Sequence, residues 1–172
     1  MMDVVGANPC VRPYTRAGTG TCPYNLKTEI LFWENLKTPK KDMAFTEQEK
    51  QRAFGFHLML DCYQCNPEHL DNIDSCYRFL DELVLITGAT KQTQPYVFRT
   101  PEEFAGKEGL SGWVPLVESG ISLHTLTASN FISLDVYSCK EFSVEDIKAY
   151  TQQFFQPAEI EERFLLRGLK YH

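Results

Sequence analysis

The stretch "FGFHLMLDCYQC" from Phe54 alternates apolar and polar positions. That period of two predicts a strand over 54–63. The period then changes. Leu70, Ile73, Cys76, Tyr77, Leu80, Leu83 and Val84 recur at helical spacing, which predicts one helix. Asn66 is its N-cap, Pro67 fits its first position and Gly88 closes it. "TQPYVFR" at 93–99 reads as a strand, and "TPEEFAGKEG" at 100–109 as a loop or a short helical turn. "LSGWVPLVESGISLHTL" at 110–126 reads as two strands with a break near Gly120. "NFISLDVYSC" at 130–139 alternates again. "SVEDIKAYTQQFF" at 143–155 is an amphipathic helix with Ser143 as N-cap and acids in its first turn. "ERFLLRGLKY" at 162–171 reads as a last short strand.

The resulting order is β-α-β-β-β-β-α-β. Few helices and runs of strands joined by short turns predict an α+β fold: a two-layer α/β sandwich, with a mostly antiparallel sheet and helices on one face. The uncovered face of such a sheet must be solvated or buried against a partner. Residues 1–50 differ from the domain at 51–172. They form an N-terminal extension that is loop-rich, with one short helix expected in "LKTEILFWENL" at 26–36. "TEQEKQ" at 46–51 places Glu49 three residues after Thr46, a pattern that caps and opens a helical turn.

Composition narrows the function. Of 172 residues, 43% are hydrophobic and 13% aromatic, enough for a real core. A net charge of −6 with no basic cluster beyond "PKK" argues against nucleic acid as a partner. No apolar stretch reaches membrane-spanning length and the N-terminus has no signal-like apolar region, so a cytoplasmic protein is expected. The cysteines are Cys10, Cys22, Cys62, Cys65, Cys76 and Cys139. Their spacing is irregular and no His pair accompanies them, so reduced thiols are expected and no metal.

Chemistry concentrates after residue 110. Ser119 stands beside Gly120, where the backbone can adopt a strained geometry. A serine so placed can attack the carbonyl of the preceding residue, Glu118, given a base and an oxyanion donor. His124 and Ser111 lie on the two arms of the expected hairpin, which can bring them to Ser119. Taken alone, a Ser-Gly turn with a strand histidine is usually only a turn. Cys139 ends a strand beside Lys140, a setting for a proton donor or for a half-buried structural thiol. His57 reads as a satisfied core histidine, His69 and His172 as solvated, and "EIEER" at 159–163 as a solvated face.

Together, "SGWVPLVESGISLHTL" and "NFISLDVYSCKEF" resemble the small, prokaryotic-type S-adenosylmethionine decarboxylase family. "FHLMLDCYQCNPEHLDN" is similar to its first strand and helix start, and the resemblance covers roughly residues 54–172. It implies a proenzyme cleaved between Glu118 and Ser119, with Ser119 becoming a pyruvoyl cofactor. Ser111 and His124 would assist cleavage. The pyruvoyl carbonyl would form a Schiff base with a small-molecule amine substrate, and Cys139 would protonate the substrate carbon after carbon dioxide leaves. The implied role is polyamine biosynthesis, and the implied assembly is a homodimer whose protomers both shape each site.

The chain departs from the family where the nucleoside binds. An aromatic residue and a Glu are usual after His-Thr, and Leu126 and Ala128 stand there. A nucleoside would lose a stacking contact and a charge-assisted hydrogen bond. Gly120 replaces the family's His after the cleavage serine. Phe98 or Tyr96 is the ring available from another strand. Arginine or ornithine therefore stands beside S-adenosylmethionine as substrate, and an unprocessed binding or regulatory homologue is the non-enzyme alternative.

Overall fold

The computed structural model describes residues 45–101 and 103–171. The expected helix at 26–36, and Cys10 and Cys22, lie outside the described residues. The first element is α1 (Glu47–Arg52). The Thr46 hydroxyl accepts the Glu49 N–H at 3.3 Å, and the Glu49 carboxylate accepts the Thr46 N–H at 2.8 Å. This reciprocal cap satisfies two donors that a helix start leaves open.

Six strands follow: β1 (Gly55–Tyr63), β2 (Tyr96–Arg99), β3 (Leu110–Leu116), β4 (Ser119–Leu126), β5 (Phe131–Ser138) and β6 (Glu159–Arg167). They form one antiparallel sheet in the order β2-β3-β4-β5-β1-β6. The alternation read in the sequence is the alternation of burial. Phe56, Leu58, Leu60 and Cys62 of β1 face the core with Val114, Ile121, Leu123, Ile132, Leu134 and Val136 of the central strands. The helices α3 (Ile73–Thr87) and α4 (Val144–Phe155) close that core with Phe79, Leu80, Leu83, Ile147 and Phe155. Phe79 stacks on Tyr150 at 5.2 Å between centroids. Gly112 of β3 admits the Leu80 side chain, which would lie 2.6 Å from an added Cβ.

The expected single helix is two. A one-turn α2 (Pro67–Leu70) capped by Asn66 stops at Asp71, and α3 starts afresh with Asn72 accepting the Ser75 N–H at 3.0 Å. The carbonyl of Leu70, freed by the break, accepts the Thr125 hydroxyl at 2.7 Å, and the Thr125 hydroxyl oxygen in turn accepts the Leu110 N–H at 2.8 Å. Thr125 is fully buried. Thr125→Val keeps the shape and strands both backbone groups, so a loss of about 3 kcal/mol is expected. Urea unfolding reads it as a lower midpoint at constant slope. A loss below about 1 kcal/mol would mean that both groups find other partners.

Edges moved more than centres. The last strand was expected at 162–171 and spans Glu159–Arg167. The acidic run is thus the exposed start of an edge strand, where charge discourages further pairing. Gly168, at φ 67°, turns the chain out of the sheet, and Tyr171 packs on Phe54 at 4.5 Å. At the other edge β2 starts only after Pro95, which has no N–H to give a ladder. The face away from the helices stays open: Tyr96, Phe98 and Trp113 are 45%, 61% and 51% exposed. Among the described residues no helix is long and apolar enough to cross a membrane.

Candidate active site

The β3–β4 hairpin turns at Val117–Glu118, with Leu116 and Ser119 as its last pair. That is two residues before the expected break at Gly120. The loop after α3 fixes the turn: the Val117 N–H donates to the Thr90 carbonyl at 2.9 Å, and the Thr90 N–H to the Glu118 carboxylate at 2.9 Å. This Thr90 N–H, with Lys140 nearby, holds the Glu118 carboxyl below the usual range. Gly120 is a strand residue whose missing side chain admits an indole. Trp113 Nε1 lies 3.0 Å from where a Cβ would be.

Ser119 has φ 148°, a backbone region that residues with a side chain rarely occupy. The carbonyl on its N-terminal side belongs to Glu118, and that oxygen accepts the Cys139 N–H at 2.9 Å. Ser119 pairs with Ser138 on β5, so Cys139 follows directly at the strand end, with its side chain exposed. Lys140, the cation beside it in sequence, donates its ammonium to the Gly88 carbonyl. A strained Ser, a carbonyl already polarised by a backbone donor and an accessible thiol thus meet at one end of the hairpin.

Ser111 and His124 meet elsewhere. They are directly opposite across β3 and β4, and Ser111 Oγ lies 2.8 Å from His124 Nδ1. Five strand residues separate His124 from Ser119, a distance of about 16 Å. The hairpin therefore does not bring the three together, contrary to the expectation from sequence, because the strand stays straight through Gly120. Phe98 pairs with Ser111 in register and stacks on Tyr96 at 6.3 Å. Leu126 ends β4, half-buried, and Ala128 is exposed in the turn Thr127–Ser129. The expected residues thus form two groups at opposite ends of β4: Glu118, Ser119 and Cys139, and then Phe98, Ser111, His124, Leu126 and Ala128.

Beside Ser119 the open face carries a cleft of about 410 Å³, lined by Gly120, Trp113, Tyr137, His57 and Asp135. His57 is not a core residue: it is half-buried on the open face, with Nε2 2.9 Å from Asp135 Oδ1. Sequence reasoning missed this pair and the rings around it. Alternation along β1, which puts His57 opposite the leucines, was the signal that could have found His57.

Cys62 and Cys65 are buried, which pushes their thiols up to about 12 and about 11. Cys65 donates its S–H to the Cys62 carbonyl. Burial thus favours the neutral thiol form at both positions.

A family model described as S-adenosylmethionine decarboxylase matches residues 56–168. An S-adenosylmethionine decarboxylase proenzyme of Clostridium botulinum is 30% identical over 117 residues, 66% of this chain and 94% of the relative. One of Thermosipho melanesiensis is 28% identical over 100 residues, 58% of this chain and 72% of the relative. The crystal structure of the adenosylmethionine decarboxylase from Aquifex aeolicus superposes with a TM-score of 0.59, over 67% of this chain and 92% of that one. At 24% identity, that likeness bears on the fold alone.

Proposed function

The chain belongs to the S-adenosylmethionine decarboxylase family, and from that premise we propose that it cleaves itself between Glu118 and Ser119 and then decarboxylates a small amino-acid substrate in polyamine synthesis. The cofactor of the family is a pyruvoyl group formed by self-cleavage of a serine. The observation that carries the reading is the strained Ser119 beside a carbonyl that accepts the Cys139 N–H.

In the proposed cleavage, Ser119 Oγ attacks the Glu118 carbonyl carbon, and the negative charge that develops on that oxygen is met by the Cys139 N–H. The amide becomes an ester, and strain at Ser119 is relieved as the peptide bond breaks. Removal of the Ser119 α-proton then expels Glu118 as a carboxylate and leaves dehydroalanine. Water hydrolyses this group, ammonia departs and a pyruvoyl end remains. That end supplies a carbonyl for the substrate amine and a sink for the electrons left by carbon dioxide. Cys139, next to it at the end of β5, donates the proton that replaces carbon dioxide on the substrate.

Cleavage also needs a base. The Ser111–His124 pair lies about 16 Å along its own strand, too far to serve Ser119 of the same chain. A homodimer packed through the open sheet faces brings the pair of one copy to the Ser119 of the other. It also covers the exposed rings of Tyr96, Phe98 and Trp113. On the substrate, Leu126 and Ala128 offer neither a ring to stack on adenine nor a carboxylate for ribose. They favour arginine or ornithine over S-adenosylmethionine.

Intact mass under denaturing, reducing conditions tests the reading together with carbon dioxide release. Wild type is expected as two fragments, one ending at Glu118 and one starting at position 119 that is lighter by ammonia than an amine-ended peptide. Cys139→Ala is expected to give the same fragments with turnover lower by ~10²-fold or more. A wild-type chain of one full-length mass that releases no carbon dioxide from the three amino acids would leave a binding or regulatory role instead. Full turnover in Cys139→Ala would remove that thiol from the reaction.

A further inference from the structure

We propose that Asp135, held by His57 and flanked by Trp113 and Tyr137, is the subsite for the distal cation of the substrate. The ligand class is an ammonium or guanidinium at the end of a short unbranched chain. The inference rests on Ser119 as the reacting position and gives a role to residues to which the resemblance assigns none.

Asp135 is half-buried on the open face, with its side chain 45% exposed. A carboxylate only accepts hydrogen bonds, so His57 Nε2 carries the hydrogen at their 2.9 Å contact. That bond fixes the orientation of one oxygen and leaves the other for a ligand. The cations nearby on β6 are engaged elsewhere: Arg163 pairs with Glu161, and Arg167 lies over the Tyr137 ring at 4.1 Å. Among the described residues no Lys or Arg pairs with Asp135. An anion held by a single histidine bond, with no Lys or Arg partner among the described residues, in a cleft lined by Trp113 and Tyr137, is an arrangement that attracts a cation.

The spacing also fits. Asp135 is opposite Ser122, three strand residues from Ser119, which sets the carboxylate about 10 Å from the reacting position. A four-carbon chain between two nitrogens spans about 6 Å at ~1.5 Å per bond with tetrahedral angles. A hydrogen bond of about 2.8 Å and the bond to the reacting carbon supply the remainder. The chemistry discriminates as well. An ammonium or guanidinium offers N–H groups to Asp135, whereas a sulfonium offers none. Trp113 sets the wall opposite because Gly120 leaves room for its indole.

The test is calorimetric titration of the purified full-length chain with agmatine, putrescine and, as the neutral counterpart, 1,4-butanediol. Wild type is expected to bind at least one of the two amines and not the diol. Asp135→Asn is expected to bind that amine at least tenfold more weakly. Asp135→Ser, with the same expected loss, replaces it if the Asn variant does not fold. Wild type that binds neither amine, or variants that bind within twofold of wild type, would overturn the assignment. The mass of the same samples reports cleavage at Glu118–Ser119. Failure of the Ser119 reading would therefore show as an uncleaved wild type, separately from the titration.

Discussion

Ser119→Ala chains are expected to remain in one piece, while wild type, made and purified alongside, separates into two fragments. The effect is all-or-none because the substitution removes the nucleophile and no neighbouring hydroxyl replaces it. Ser122 has a hydroxyl but sits in regular strand geometry opposite Asp135. Ser138 is opposite Ser119, yet its hydroxyl accepts the Lys140 N–H at 2.9 Å. Among the described residues, only Ser119 combines a hydroxyl with a backbone at φ 148° and a preceding carbonyl that already accepts a donor. The strain matters because a relaxed peptide bond has little reason to exchange for an ester. Alanine keeps the turn, since the Thr90 contacts involve Val117 and Glu118 and not the Ser119 side chain. An uncleaved variant is thus expected to be folded, which far-ultraviolet dichroism would check. Two fragments from Ser119→Ala would move the cleavage site elsewhere.

The centre of this fold was legible and its margins were not. β1, β5 and α4 carry their own signals: strict alternation, or a cap followed by acids and a periodic apolar face. The break between α2 and α3 was hidden because Asn72 caps a second helix inside a run that keeps its helical spacing. Gly120 misled for a related reason. A glycine in an alternating run signals either a turn or a close approach, and the approaching group, Trp113, sits across the hairpin. Placing the turn at Gly120 let Ser119, Ser111 and His124 be drawn together. Moving it to Val117–Glu118 puts His124 five residues along a straight strand. The His57–Asp135 pair joins residues 78 apart in sequence, through the β1–β5 ladder. No local pattern carries such a contact.

Mixed oligomers decide whether two chains share each site. His124→Ala alone is expected to cleave ~10²-fold more slowly than wild type, since it loses the proposed base. Ser119→Ala alone does not cleave. Co-expressed with tags of different mass and purified through both tags, the pair behaves differently under the shared-site reading. The Ser119→Ala chain contributes an intact Ser111–His124 pair, and the His124→Ala chain contributes an intact Ser119. The His124→Ala chain is expected to regain cleavage at close to the wild-type rate, while the Ser119→Ala chain stays whole. The asymmetry is the diagnostic: only the chain that lacks its own base is cut. If the pair served Ser119 of its own chain, the partner would bring nothing useful and neither chain would be cut efficiently. A His124→Ala chain that stays whole in a confirmed mixed oligomer would therefore remove the dimeric site. The separation of about 16 Å along the strand between His124 and Ser119 would then need a change within one chain, by a bend in β4 at Gly120 or by a base from another element.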